Sequence, residues 1–268
     1  MASNRLLNSH PADELTRADI RSLIEKMCAL WDSIMDDPRG AQYRTDVLDI
    51  QRIVAIRAHT HHATRTARAL LAVDEISGGI EKSPLIRLLL ECAVTAAWLL
   101  LTPGSGHTLI RDGADQRRKA LDQLASMGHS TSPGHEQAQK VIADLEDAEG
   151  PRAFIFTQRC ESLADGLNLS MLYRVLSAES HAGLGIADFY SIADESSEIG
   201  LAFDPDHQDA TPVATLGTAA CLLLLALNAN ELALAAPLRT TQIRRWARKF
   251  GVSDRIIRND GYEVPVRD

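Results

Sequence analysis

Aromatic residues are scarce, 4% of 268 positions, too few for a sheet protein built on Tyr- and Phe-rich strands. The four cysteines, Cys28, Cys92, Cys160 and Cys221, are spread so widely that none forms the C-x-x-C spacing of zinc or redox sites. They read as reduced core thiols. G-x-x-x-x-G-K-[ST], G-x-G-x-x-G after a strand and G-x-S-x-G are all missing, which argues against common nucleotide enzymes and α/β-hydrolases. Neither Glu-x-x-His nor H-E-x-x-H occurs, so no di-iron or zincin signature is present, and no metal or other cofactor is expected. Met1 to Asp13 holds no apolar run behind a basic start; a secretory signal is not expected, and a cytoplasmic location is.

Long uncharged hydrophobic runs are missing too. Leu85 to Leu101 is interrupted by Arg87 and Glu91, and Val213 to Ala236 reaches membrane length only by including Asn228, Asn230 and Glu231. Both read as central helices of a soluble bundle, with no membrane partner. Neither an internal repeat nor a low-complexity linker divides the chain.

What is present is alanine and leucine, within an apolar content of 45%, a composition that favours helices packed through small aliphatic side chains. Net charge is −8, unevenly placed: residues 239–268 carry eight Arg/Lys against four acids, so an acidic body bears a basic tail. Apolar spacing marks a first helix over Ala12 to Met35, ending before Pro38 and Gly40. From Gln42 to Ser77 neither Gly nor Pro occurs, which predicts a spine helix of roughly 50 Å. Ser83-Pro84 is an N-cap and N1 pair for a third helix ending at Thr102-Pro103-Gly104.

A fourth helix is expected from Thr108 to Met127, then a polar one from Ser132 through Ala148, broken by Gly150-Pro151. Phe154 to Leu163 and Ser170 to Ser180 follow. Short extended pieces are expected over Phe189 to Asp194 and Ile199 to Phe203. The fold class is therefore all-α: an antiparallel multi-helix bundle around one long central helix (residues 1–238), with a small basic C-terminal appendage (239–268).

Three constellations carry chemistry. Arg87 and Glu91, four apart in an apolar helix, share a face and are expected to point inward, where charges need partners. Tyr173, Ser177 and His181 fall on one stripe at i, i+4, i+8, with Arg174 near the same face. Together these groups supply a titratable imidazole, a phenol, a hydroxyl, guanidinium groups and a carboxylate. The competing reading is a purely structural network tying two core helices. His59-Thr-His61-His62, flanked by Arg57 and Arg65, is the second cluster; His59 and His62 share a face, as metal ligands do, but solvated or hydrogen-bonded histidines are the preferred reading.

Arg174-x6-His181 on a helix end resembles the R-x(4–6)-H signature of the HEPN superfamily, all-helical proteins that include metal-independent endoribonucleases. The resemblance covers eight residues. It implies Arg174 on a scissile phosphate, His181 helping to activate a ribose 2′-hydroxyl, and a homodimer. Arg87-x3-Glu91 paired with Tyr173-x3-Ser177-x3-His181 is also similar to a group of uncharacterised bacterial helical proteins of about this length.

The third constellation, Thr241 to Arg258, resembles a helix-turn-helix: Ile243, Trp246, Ala247 and Phe250 on a first helix, a Gly251-Val252-Ser253 turn, and a second helix presenting Arg255 and Arg258. With Arg244, Arg245 and Arg248 it forms a candidate RNA or DNA contact. The alternative is an amphipathic terminal helix whose arginines face solvent or the acidic body. Three functions follow as expectations: RNA cleavage or binding at the Arg174–His181 patch; a non-catalytic regulatory protein with a nucleic-acid- or partner-binding tail; or a small-molecule enzyme or binding protein using an interhelical cavity.

Overall fold

The computed structural model describes residues 15–37, 42–145 and 155–264. Among them the chain is almost wholly helical: α1 (Arg17–Met35), α2 (Ile50–Ile76), α3 (Ser83–Leu101), α4 (Ser105–Ser126), α5 (Ser132–Asp144), α6 (Phe156–Glu161), α7 (Gly166–Ser180), α8 (Leu184–Phe189), α9 (Pro212–Leu232) and α10 (Thr240–Phe250). Two three-residue strands, β1 (Ser191–Ala193) and β2 (Leu201–Phe203), pair antiparallel with Ile192 opposite Ala202. The expected breaks at Pro38-Gly40 and Gly150-Pro151, the starts at Ala12 and Phe154, and Arg267 lie outside the described residues.

α2 is the central helix. Its start meets the end of α3, where buried Arg52 donates to the Leu99 and Leu100 carbonyls. Its middle meets α9, where Thr60 donates to the Ala226 carbonyl at 3.1 Å. Its end meets the start of α1 through Arg17, Arg21 and Asp74. So α2 runs antiparallel to α1, α3 and α9, its three largest neighbours. The core follows from their composition: Leu89, Leu90, Ala93, Val94, Ala97 and Leu99 of α3 and Ala219, Ala220, Leu223, Ala226 and Ala229 of α9 have no solvent exposure. Alanine at these contacts lets the backbones approach closely and pack at crystal-like density.

Several boundaries move. α2 starts at Ile50, not Gln42, because Asp49 caps it by accepting from the Arg52 amide at 2.8 Å, while Tyr43 upstream bridges to Leu234. The spine is thus 27 residues, about 40 Å. α1 starts at Arg17 on a reciprocal capping box of Thr16 and Asp19. α4 begins at Ser105, three residues early, because Gly104 at φ 72° turns the chain straight into it. The polar helix α5 ends at Asp144, and α8 was not foreseen.

The helix-turn-helix expectation is corrected. α10 ends on Gly251 at φ 66°, and no helix follows among the described residues. Residues 252–264 instead double back, with Ile257 bridging to Glu263 and Arg258 to Leu163. Nor does the segment stand apart from the bundle: Ile243, Trp246, Ala247, Phe250, Ile256 and Val264 belong to the same buried cluster as α3 and α9.

By length and composition Ile80–Leu101 and Pro212–Leu232 are long and apolar enough to cross a membrane; in this fold most of each stretch is buried against protein.

Candidate functional site

α3 exposes one polar edge, and α6 and α7 pack beside it. Arg87 is the hub. Its Nε donates to Glu91 Oε1 at 3.1 Å, one Nη to the Tyr173 hydroxyl at 3.3 Å and the other to His181 Nε2 at 3.5 Å. Its guanidinium carbon also lies 5.2 Å from the centre of the Tyr173 ring. Arginine only donates, so the His181 contact requires an unprotonated Nε2. Four of the six expected residues, Arg87, Glu91, Tyr173 and His181, therefore converge.

The network is not sealed: the Arg87 and Glu91 side chains are 24% and 34% exposed, against the expectation that both point inward. The helix end is the reason, because α7 stops at Ser180 and leaves His181 exposed as its cap. Ser177 lies on the expected stripe, but its hydroxyl is shut in without a hydrogen-bond partner among the described residues. Arg174 is exposed, with no hydrogen bond or ion pair among the described residues, and takes no part in the network.

Glu91 has a second neighbourhood. It borders an open cleft of about 480 Å³ between α2, α3 and α6, together with His59, His62, Cys92, Thr95, Phe156 and Arg159. The Nδ1–H of His59 donates to the Ala55 carbonyl one turn back, at 2.8 Å. That bond fixes the tautomer and leaves Nε2 as the ring's free lone pair. Burial is the largest influence on His59 and pushes its pKa down; the charges of Arg159 and His62 act the same way, against the Ala55 bond. His59 is consequently a neutral base at neutral pH.

Arg159 lies over the Trp98 ring, 5.2 Å from its centre, and donates to Thr95 Oγ1 at 3.2 Å. Burial lowers its pKa, countered by the carboxylates of Asp112 and Glu91, and guanidinium stays charged throughout. Asp112, 3% exposed, has no hydrogen-bond partner on either oxygen among the described residues. Burial pushes its carboxyl up, with Arg159 and Arg111 opposing. Cys92 is no nucleophile here, its thiol raised by burial to about 12. Among the described residues no group of three or more His, Cys, Asp or Glu is placed to hold a metal.

Sequence reasoning missed this cleft as a unit. The spacing of His59 and His62 shows only that they share one helix face, and Arg159 carries no local signal, since only the docking of α6 on α3 brings it to Glu91. The third histidine faces elsewhere: His61 Nδ1 accepts from the indole N–H of buried Trp31 at 3.0 Å.

At the C-terminus, Arg244 pairs with Asp254 at 2.9 Å, Arg255 with Glu263 at 2.7 Å, and Arg258 with Asp260 while lying over Tyr262. Arg245 and Arg248 are exposed and have no ion pair among the described residues. In comparisons with protein-family models, curated proteins and solved structures, nothing matches this chain.

Proposed function

We propose that this chain is a small-molecule enzyme or binding protein whose working cleft lies between α2, α3 and α6. One observation carries the reading: His59, tautomer fixed by the Ala55 carbonyl, offers a free Nε2 in a cleft that also holds the Arg159 guanidinium and the Glu91 carboxylate. A neutral imidazole beside a fixed cation suits proton abstraction from a ligand whose negative charge the arginine holds. Phe156 and Leu88 supply an apolar wall, so the ligand is a monoanion with an apolar body. The free thiols are in keeping with a reducing, cytoplasmic setting.

The test is NMR of the histidine rings with benzoate and phosphate as probes. His59 is expected to titrate below the ordinary value of about 6.5. Benzoate is expected to shift its resonances in the wild type but not in Arg159→Met. If His59 titrates normally and neither probe perturbs it, the cleft is not a binding site. The sign for stability is set by the same shift. A histidine with a depressed folded pKa leaves stability intact above about 6.5 and removes it as pH falls through the lower folded value.

RNA cleavage is the second reading, favoured by exposed His181 in contact with Arg87 and near Tyr173. His181→Ala should then abolish cleavage of RNA while leaving the unfolding curve unchanged; surviving cleavage removes the reading. A homodimer would have to cover the exposed stripe Leu167, Met171 and Val175 of α7. The tail-binding reading rests on Arg245 and Arg248, because Arg244, Arg255 and Arg258 already face acids of the same segment.

A further inference from the structure

Away from that cleft, a second pocket of about 260 Å³ forms where the starts of α3 and α9 meet the C-terminal half of α7. Lys82 lies in it, 1% exposed. Its ammonium reaches Asp74 Oδ1 at 3.4 Å and Asp209 Oδ2 only at 3.8 Å. An ammonium has three donors, so one hydrogen bond at the limit of range leaves a buried cation under-bonded, a costly state without a further acceptor.

The nearby acids balance its charge without filling its hydrogen-bonding capacity. Asp74 also accepts from Arg17 and Arg21, and Asp209 is held at the start of α9 by the Thr211 amide and the Thr215 hydroxyl. The positive ends of two long helices add to the field. Facing Lys82 is Glu179: its Oε2 accepts from Ser83, the residue after Lys82, at 2.5 Å, and its Oε1 has no partner among the described residues. Ile86, Leu172, Leu176 and Phe189 make the remaining wall apolar.

We propose that this pocket is a second ligand site, taking a small zwitterion of the α-amino-acid type: carboxylate on Lys82, ammonium on Glu179, apolar side chain against Ile86, Leu172 and Leu176. The alternatives fit worse. A phosphate dianion would face both Asp209 and Glu179; a plain hydrocarbon would leave the lysine under-bonded; an amine alone would satisfy only Glu179. The volume falls below the roughly 300–1,000 Å³ of sites for drug-sized molecules, which suits a ligand of amino-acid size.

The experiment is calorimetric titration of the full chain carrying Arg159→Met, which removes the cation that would hold a monoanion in the first cleft, with L-leucine, L-methionine and L-phenylalanine, beside 4-methylpentanoate and 3-methylbutylamine, which each lack one charge of leucine. At least one amino acid binds, and both single-charge analogues bind at least about tenfold more weakly than leucine or not at all. Lys82→Met strands Asp74 and risks unfolding, so the variants are Glu179→Gln, which weakens binding at least about tenfold, and Ala214→Trp, an exposed α9 position on the pocket, which abolishes it. The proposal is overturned if none of the three amino acids binds, if 4-methylpentanoate binds as tightly as leucine, or if binding survives both pocket variants.

Discussion

Asp74 shows at the scale of one residue how this molecule handles buried charge. Its carboxylate has no exposed surface and gathers Arg17 and Arg21 from α1 and Lys82 from the start of α3. Burial alone would raise its pKa, but the two arginine hydrogen bonds and the Lys82 charge hold it below the usual carboxylate range. Asp74→Asn should therefore cost about 3–5 kcal/mol, because it leaves Lys82 buried with its main partner gone. Urea unfolding at pH 7 measures it. A depressed carboxylate contributes stability above its unfolded pKa of about 3.9 and loses it as pH falls through the lower folded value. The gap between wild type and variant should thus narrow below about pH 4. None of this was legible locally: Asp74 stands in an ordinary helical stretch, whereas Arg87 and Glu91 announced themselves by sitting in an apolar run.

Among the elements, the start of α2 depends on a neighbour. Asp49 caps it, and Gly106 of α4 presses so close that a β-carbon there would come within 2.9 Å of both Asp49 Oδ1 and the Arg52 amide nitrogen. Replacing a mid-helix glycine such as Gly113 with alanine ordinarily stabilises by about 0.5–1 kcal/mol, and in the first turn, where Gly106 stands, a smaller gain is ordinary. Here the sign reverses, because backbone cannot yield as a flexible side chain can. Gly106→Ala is expected to lower the Tm, with Gly113→Ala on the same helix as the control, since open space surrounds that position. A Tm for Gly106→Ala at or above wild type would refute the close approach. The same contact explains why α2 is shorter than the Gly- and Pro-free run suggested. Helical propensity continues through Gln42 to Leu48, but capping and the Tyr43–Leu234 bridge give that segment better partners elsewhere.

For the molecule as a whole, the question is whether residues 239–264 are an attachment or a part. Ile243, Trp246, Ala247 and Phe250 are buried on α9, and fully burying a large apolar side chain contributes about 1.5–3 kcal/mol. Removing residues 239–268 should consequently shift the urea midpoint sharply or unfold the chain, as read by helical circular dichroism. An undiminished midpoint would mean that the segment folds independently of the bundle. The pairing of Arg244, Arg255 and Arg258 with acids belongs at this scale too. A local charge of one sign in sequence became a set of ion pairs once the chain folded back on itself.

Periodicity and alanine–leucine composition made the all-helical class and most helices readable, because they are decided within a few turns of chain. The cap expected at Ser83 is corrected, since Ser83 is the first residue of α3, Lys82 precedes it, and the Ser83 hydroxyl donates to Glu179 across the bundle. The meeting of Arg87 and Glu91 with Tyr173 and His181 was readable as well, since charges in apolar helices must find partners across the bundle. Only tertiary structure decided that Glu91 also faces His59 and Arg159, that Lys82 closes a second pocket, and that no helix follows Gly251. Each of those outcomes depends on which helix faces which and at what depth, and that is set by packing between segments tens to more than a hundred residues apart.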